Sequence, residues 1–211
     1  MMITRLLLAS FLTTSVFAAE APLLKDDFSA AKLESRRASR GEWKFADNSA
    51  TCTQDDKLYK KFKDHGPIIF YDLAYEDATI HFSYKVDDAV KSVVFTSNGA
   101  DGHIFRFVMN PKNTGIRAFP ADSKDHTSIS LGQDGPPLKP GEWVPVVVTL
   151  RGSKATVKIG DFEKTYEHAS LGLPKTNLSV GFSFGTVCEG CGGREVAAFA
   201  NHCQEGFMER W

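Results

Sequence analysis

The chain has 211 residues, 42% of them hydrophobic and 24% charged, and its 25 basic and 26 acidic side chains leave a net charge of −1. That balance leaves no overall field of one sign to recruit nucleic acid or an anionic membrane, so overall electrostatics designates neither as a partner. The length suits one globular unit of ordinary size, and the 16 Phe, 3 Trp and 5 Tyr supply much of its core.

Met1 to Thr4 precede a single basic residue, Arg5, then an apolar run from Leu6 to Phe17 and a small-residue site at Ala18. The pattern predicts a secretory signal peptide over residues 1–18, because the run is shorter than the ~20 residues a bilayer span needs. Residues 19–211 are then expected to form a single mature domain, secreted or periplasmic, with no membrane insertion after cleavage. Four cysteines in an exported chain, Cys52, Cys188, Cys191 and Cys203, read first as two disulfides. The favoured pairing is Cys188 with Cys191 and Cys52 with Cys203, the first and last strands of a closed sandwich being common neighbours. The CxxC spacing also occurs in zinc and redox sites, but no second CxxC follows and His202 is the only extra ligand nearby, so no metal is expected.

Leu23 and Leu24 lead through Asp26-Asp27-Phe28 to a charged, Ser-rich approach containing Arg36, Arg37 and Arg40. Gly41 to Phe45 opens the first clear strand, Asp47-Asn48-Ser49 turns it and Ala50 to Thr53 returns. Asp55 to Asp64 is either a single helical turn or a solvated loop, and the loop is favoured because no cap or sustained period supports a helix. After His65-Gly66-Pro67, Ile68 to Tyr71 is a short apolar strand. Ala78 to Val86 alternates most cleanly, with Ile80, Phe82, Tyr84 and Val86 toward the core and Thr79, His81, Ser83 and Lys85 toward water. Ser92 to Ser97 and His103 to Asn110 are strands on either side of the Asn98 to Gly102 turn. Gly115 to Pro120 is another short strand. Ala121 to Pro140 reads as a loop, since Asp134-Gly135-Pro136-Pro137 opposes regular structure.

Pro140 to Asp161 carries the plainest strand signal. Val144, Val146, Val148 and Leu150 share one face, Gly152-Ser153 reverses the chain, and Ala155, Val157 and Ile159 resume the apolar side. A second reversal at Gly160-Asp161 leads to Phe162 through Glu167, which completes an antiparallel meander. Leu178, Val180, Phe182 and Phe184 then share a core face, Gly185 to Gly193 is a loop, and Glu195 to Ala200 a last strand. Roughly ten to twelve short strands without a convincing helix predict an all-β sandwich.

Candidate functional residues sit on loops and wet strand faces. Arg106 offers a planar fork for hydroxyls or a carboxylate, and His103 an acid or base near neutral pH. Residues three apart on a regular strand face opposite sides, so strict alternation lets at most one of the two line a given pocket. Asn98 and Asp101 add polar groups on the preceding loop, His81 lies on the wet face of its strand, and His65 stands beside a Gly-Pro turn. The adjacent acids Asp26-Asp27, Asp55-Asp56, Glu76-Asp77 and Asp87-Asp88 would point to opposite faces of a strand and read as turns or solvated edges. No HExxH, Gly-x-Ser-x-Gly or phosphate-cradling loop is present, and no cofactor is expected.

Gly141-Glu142-Trp143, the strand VPVVVTL, a Gly-Ser turn, a second strand and a Gly-Asp turn together resemble the late strands of the concanavalin A-like lectin/glucanase jelly rolls, laminin G-like domains among them. The segments DDF, GEWKFAD, DHGPIIF and Gly102-His103-Ile104-Phe105-Arg106 resemble the secreted bacterial 3-keto-disaccharide hydrolase family, formerly a domain of unknown function. The resemblance implies a concanavalin A-like jelly-roll β-sandwich of two antiparallel sheets, with a carbohydrate or modified sugar as partner. Three functions stay open: sugar recognition, a lyase or hydrolase acting on 3-keto-glycosides with His65, His103 and Arg106 as acid, base or anchor, and a cell-envelope interaction domain without sugar affinity. The sequence departs from the glucanases in lacking their Glu-x-Asp-x-x-Glu strand, and from the keto-sugar enzymes in lacking clear Glu-x-Gln and Gln-Asp-His-Gly segments.

Overall fold

The computed structural model describes residues 22–121, 127–184, 195–200 and 208–209. The expected leader over 1–18, the Gly185 to Gly193 loop and Cys188, Cys191 and Cys203 with their pairing lie outside the described residues. Strands run in chain order as β1 (Arg36–Ser39), β2 (Gly41–Ala46), β3 (Ser49–Gln54), β4 (Ile68–Tyr75), β5 (Ala78–Val86), β6 (Ser92–Gly99), β7 (Gly102–Met109) and β8 (Thr114–Ala118). They continue as β9 (Ile129–Gly135), β10 (Val144–Arg151), β11 (Lys154–Ile159), β12 (Phe162–Glu167), β13 (Lys175–Ser183), β14 (Glu195–Ala200) and β15 (Met208–Glu209).

One sheet orders as β1-β4-β13-β6-β7-β8-β9 and the other as β12-β11-β10-β5-β14-β3-β2, with β15 added beside β5. All the strand pairings among the described residues are antiparallel. Period-two alternation gives each sheet one apolar face, and the two apolar faces exclude water only by packing on each other. Phe82 of one sheet stacks on Phe95 of the other at 5.9 Å between ring centroids, and Phe95 stacks on Phe107 at 5.1 Å. The expected core residues Val144, Val146, Val148 and Leu150 are buried on this inner face. The expected meander is present: Arg151 pairs with Lys154 and Ile159 with Phe162 across two-residue turns.

Four expectations need correction. Asp55 to Asp64 is not a loop throughout: Asp56–Lys61 forms a helix, α1, because Asp55 is an N-cap whose carboxylate accepts from the Leu58 N–H at 2.8 Å. Ala121 to Pro140 contains strand β9, which the Asp-Gly-Pro-Pro run permits because β9 is the sheet's edge and Pro136 falls just beyond its end. The outer side of β5 is not wholly wet, since Thr79 and Ser83 are buried beside neighbouring strands on both edges.

The fourth concerns Asp26, which is no solvated turn residue. Arg36 donates to both its carboxylate oxygens at 2.9 Å, Tyr71 donates its hydroxyl at 2.8 Å and the Phe28 N–H adds a bond at 3.0 Å. The Arg36 guanidinium also lies over the Phe45 ring, 3.8 Å from its centroid. Burial and the Asp26 carboxylate push the Tyr71 hydroxyl well above its usual range, so it remains the donor. This cluster ties the segment before β1 to β4 and to the edge strand β2. Asp26→Ala would leave the Arg36 side chain, 2% exposed, without its counter-charge. It is expected to destabilise the protein by about 3–5 kcal/mol, read as a lower urea midpoint; an unchanged midpoint would refute the role given to this pair.

Candidate functional site

The outer face of the seven-stranded sheet carries a groove of about 650 Å³. Its floor follows from the same alternation that builds the core. Leu178 and Val180 of β13 point inward, so Asn177 and Ser179 point outward; Phe95 of β6 points inward, so Thr96 lies outside with Val94. Ile68 and Phe70 of β4 and Val108 of β7 contribute apolar surface among these polar groups.

His65, His103, Arg106 and Asn98 all line this one groove. That both His103 and Arg106 do so departs from strict alternation, and the cause is a β-bulge. Thr96 pairs with Arg106 and Ser97 with Phe105, but Asn98 pairs with His103, which leaves Ile104 as an extra residue in β7. Consecutive Ile104 and Phe105 are both buried, at 4% and 0% exposure, so the side-chain phase slips by one between His103 and Arg106. His81 stands elsewhere, on β5 of the opposite sheet in register with Val147, and is not a lining residue. Asp101 is exposed in the turn between β6 and β7 and also lies off the lining.

The bulge assembles a hydrogen-bonded chain. Arg106 Nη2 lies 2.5 Å from His103 Nε2, and because a guanidinium nitrogen only donates, Nε2 is the acceptor. The proton then belongs on His103 Nδ1, which donates to Asn98 Oδ1 at 2.6 Å, and Asn98 Nδ2 donates to Asn177 Oδ1 at 2.7 Å. Arg106 Nε donates to Thr96 Oγ1 at 3.2 Å. The edge of His103 meets the Phe119 ring at 5.2 Å between centroids, and the guanidinium carbon of Arg106 lies 5.6 Å from the same centroid. Burial and then the nearby Arg117 lower the pKa of Arg106, though arginine stays protonated at physiological pH.

His65 comes to the groove from the far side, at the end of α1. Lys63 and Asp64 both adopt left-handed backbone, with φ of 54° and 63°, and the Asp64 N–H returns to Tyr59 O at 2.9 Å. The next residue, Gly66, sits so close to β13 that an added Cβ would fall 2.2 Å from Phe182 O, so only glycine lets this loop close over the sheet. His65 Nδ1 lies 2.9 Å from both Phe62 O and Lys63 O, which only accept, so its Nε2 is directed away from these bonds. Arg37 and Arg40 also line the groove. Arg37 forks onto Asp72 and lies 4.8 Å from the Phe70 centroid, while Arg40 lies 5.0 Å from that of Phe62. Asp64 is the single carboxylate among the lining residues. Sequence reading passed over Arg37, Arg40, Thr96, Asn177 and Ser179, although the last three are recoverable as the polar partners of alternating core positions.

No family model matches the chain, and no curated protein matches it. Solved structures do. The carbohydrate binding module CBM66 from Bacillus subtilis superposes with a TM-score of 0.55 at 11% identity, over 83% of this chain and 96% of that one. The LamA protein from Zobellia galactanivorans, in complex with laminaritriose and laminaritetraose, gives 0.64 at 9% identity over 86% and 97%. The alginate lyase from Klebsiella pneumoniae gives 0.52 at 11% identity over 76% and 82%. The fold is a concanavalin A-like jelly roll. At these identities the likeness extends to the fold alone. Among the described residues no group of acids, histidines and cysteines is arranged to hold a metal ion, and no helix is long and apolar enough to cross a membrane.

The hydrogen-bond chain fixes one tautomer of His103. Nitrogen NMR of the full chain at alkaline pH is expected to show the proton on Nδ1, and the Asn98→Ala, Arg106→Ala double variant should relax toward the Nε2-protonated form. An Nε2 proton in the unmodified protein would refute the network.

Proposed function

We propose that the protein recognises carbohydrate in the groove on its seven-stranded sheet, as an exported, secreted or periplasmic, β-sandwich protein. The observation that carries this reading is the pre-set row Asn177, Asn98, His103 and Arg106, whose donors and acceptors are held by one another beside the apolar surface of Phe70, Ile68 and Val108. Sugars need both: hydroxyls bond to rigid planar amide, imidazole and guanidinium groups, and the C–H faces of the ring cover apolar side chains. The groove volume of about 650 Å³ lies within the usual span of small-ligand sites. The sugar-binding description of two of the similar structures supports the same reading. Glycoside hydrolysis by a carboxylate pair receives no support, since Asp64 is the only acid lining the groove among the described residues.

A second reading, action on 3-keto-glycosides as in the family the sequence resembles, is favoured by one observation: His65, His103 and Arg106 share a groove. A ketone at C3 acidifies the C2–H, so a base that removes that proton and an acid that protonates the glycosidic oxygen would expel the C1 substituent. His65 Nε2 is the nitrogen available for the first step. A glycan array and calorimetry on the full chain are expected to detect sugar binding that Asn177→Ala and Arg106→Ala each weaken by about tenfold or more. Unaltered affinity in both variants would remove the groove from the account. Sugar release from a 3-keto-disaccharide, lost in His65→Ala, would establish the second reading; binding without release would leave recognition alone.

A further inference from the structure

This inference rests on the groove being a sugar site and narrows what it takes. The geometry points to a carboxylate-bearing sugar, a uronate residue, seated with its carboxylate on Arg106.

Arg106 differs from Arg36 and Arg37, which carry counter-ions. Arg36 is matched by Asp26 and Arg37 by Asp72, each through two hydrogen bonds. Arg106 bonds only to neutral acceptors, Thr96 Oγ1 through Nε and His103 Nε2 through Nη2. No carboxylate among the described residues lies within ion-pair distance of it. Two of its five N–H groups are engaged by these bonds, and the others, both of those on Nη1 among them, remain for a ligand.

The electrostatic setting of Arg106 favours an anion beside it. Arg106 is half-buried, and Arg117 stands directly opposite it in the β7–β8 register, so two guanidinium side chains leave the sheet on the same face. Arg117 is exposed and turns to Ser128 at 2.8 Å, which relieves the repulsion without neutralising it. Arg40 adds positive charge to the lining beside the single carboxylate of Asp64, whereas Arg37 is matched by Asp72. Among the described residues Arg40 and Arg106 thus face the one carboxylate of Asp64, and the lowered pKa of Arg106 is the response of a cation deprived of water and facing another cation. A bound anion reverses both effects.

Planarity selects the anion. The guanidinium fork matches the two coplanar oxygens of a carboxylate, while His103, locked through Asn98, keeps the fork from rotating. The Asn98–Asn177 pair beside it suits ring hydroxyls, and Ile68 and Val108 a sugar face, so the row reads as one uronate residue with room for neighbours.

The test is calorimetry of the full chain against trimers of galacturonate, glucuronate and mannuronate, each beside its carboxyl-reduced neutral form, with a sulfated galactose trimer as a second anion, at low and high salt. At least one uronate trimer is expected to bind about tenfold or more tighter than its reduced form, with the difference shrinking in salt. Arg106→Gln should bring the acidic and neutral forms to parity, and Arg106→Lys, which keeps charge but loses the fork, should fall between. The thermal midpoint of Arg106→Gln should not drop, because the variant removes a cation that has no counter-charge among the described residues; this separates a ligand seat from a structural prop. Equal binding of acidic and reduced trimers, or preference for the sulfated one, overturns the uronate assignment and leaves sugar recognition standing. Binding of no sugar of any kind overturns both.

Discussion

The structure depends on the contact between the inner faces of its two sheets, centred on Phe95. That ring stacks between Phe82 of the opposite sheet and Phe107 of its neighbouring strand, with Phe105 edge-on at 6.4 Å. Burying one face of every strand fixes the direction of the other, because a pleated strand has only two sides. The groove is thus a by-product of the core: Thr96, Asn98, Asn177 and Ser179 line it because Phe95, Leu178 and Val180 must not. A polar floor built in this way is as rigid as the sheet beneath it.

The bulge at Ile104 modifies that rule at one place. Two consecutive apolar residues enter the core, at some cost in ladder regularity, and His103 moves onto the same side as Arg106. The resulting chain of bonds links three strands, β13 through Asn177, β6 through Asn98 and β7 through His103 and Arg106. Each member is held by the next, so side chains that would otherwise rotate freely present fixed donors and acceptors. On the far edge, the Asp26–Arg36–Tyr71 cluster anchors β1, and β1 carries Arg37 to the groove. A buried ion pair is therefore placed where it locates another cation rather than in the centre of the hydrophobic layer.

Charge on this protein is organised locally and not globally. Near-neutral overall balance conceals a groove in which three guanidinium groups face one carboxylate among the lining residues. Arg37 is matched by Asp72, Arg40 and Arg106 lie over the rings of Phe62 and Phe119, and the hydrogen bonds of Arg106 go only to neutral acceptors.

Much of the architecture was legible from residues alone. Period-two patterns in β5, β10, β11 and β13 reveal strands and their inner faces, and Gly152-Ser153 and Gly160-Asp161 reveal the meander, because these are local consequences of backbone geometry. The Asp55 cap of α1 was also written in the sequence, but a six-residue helix offers too short a period to stand out. What the sequence could not contain is the partner strand of each residue. Whether Asp26 is solvated or buried depends on Arg36 and Tyr71 arriving beside it. Whether His103 and Arg106 share a face depends on the register of β7 against β6, which hydrophobic burial of Ile104 and Phe105 decides. The sequence by itself determined the sandwich and the chemical types available to a site. Only the tertiary structure decided that His65, Asn98, His103, Arg106 and Asn177 meet in one groove while His81 does not, because strand pairing and register are set by long-range packing.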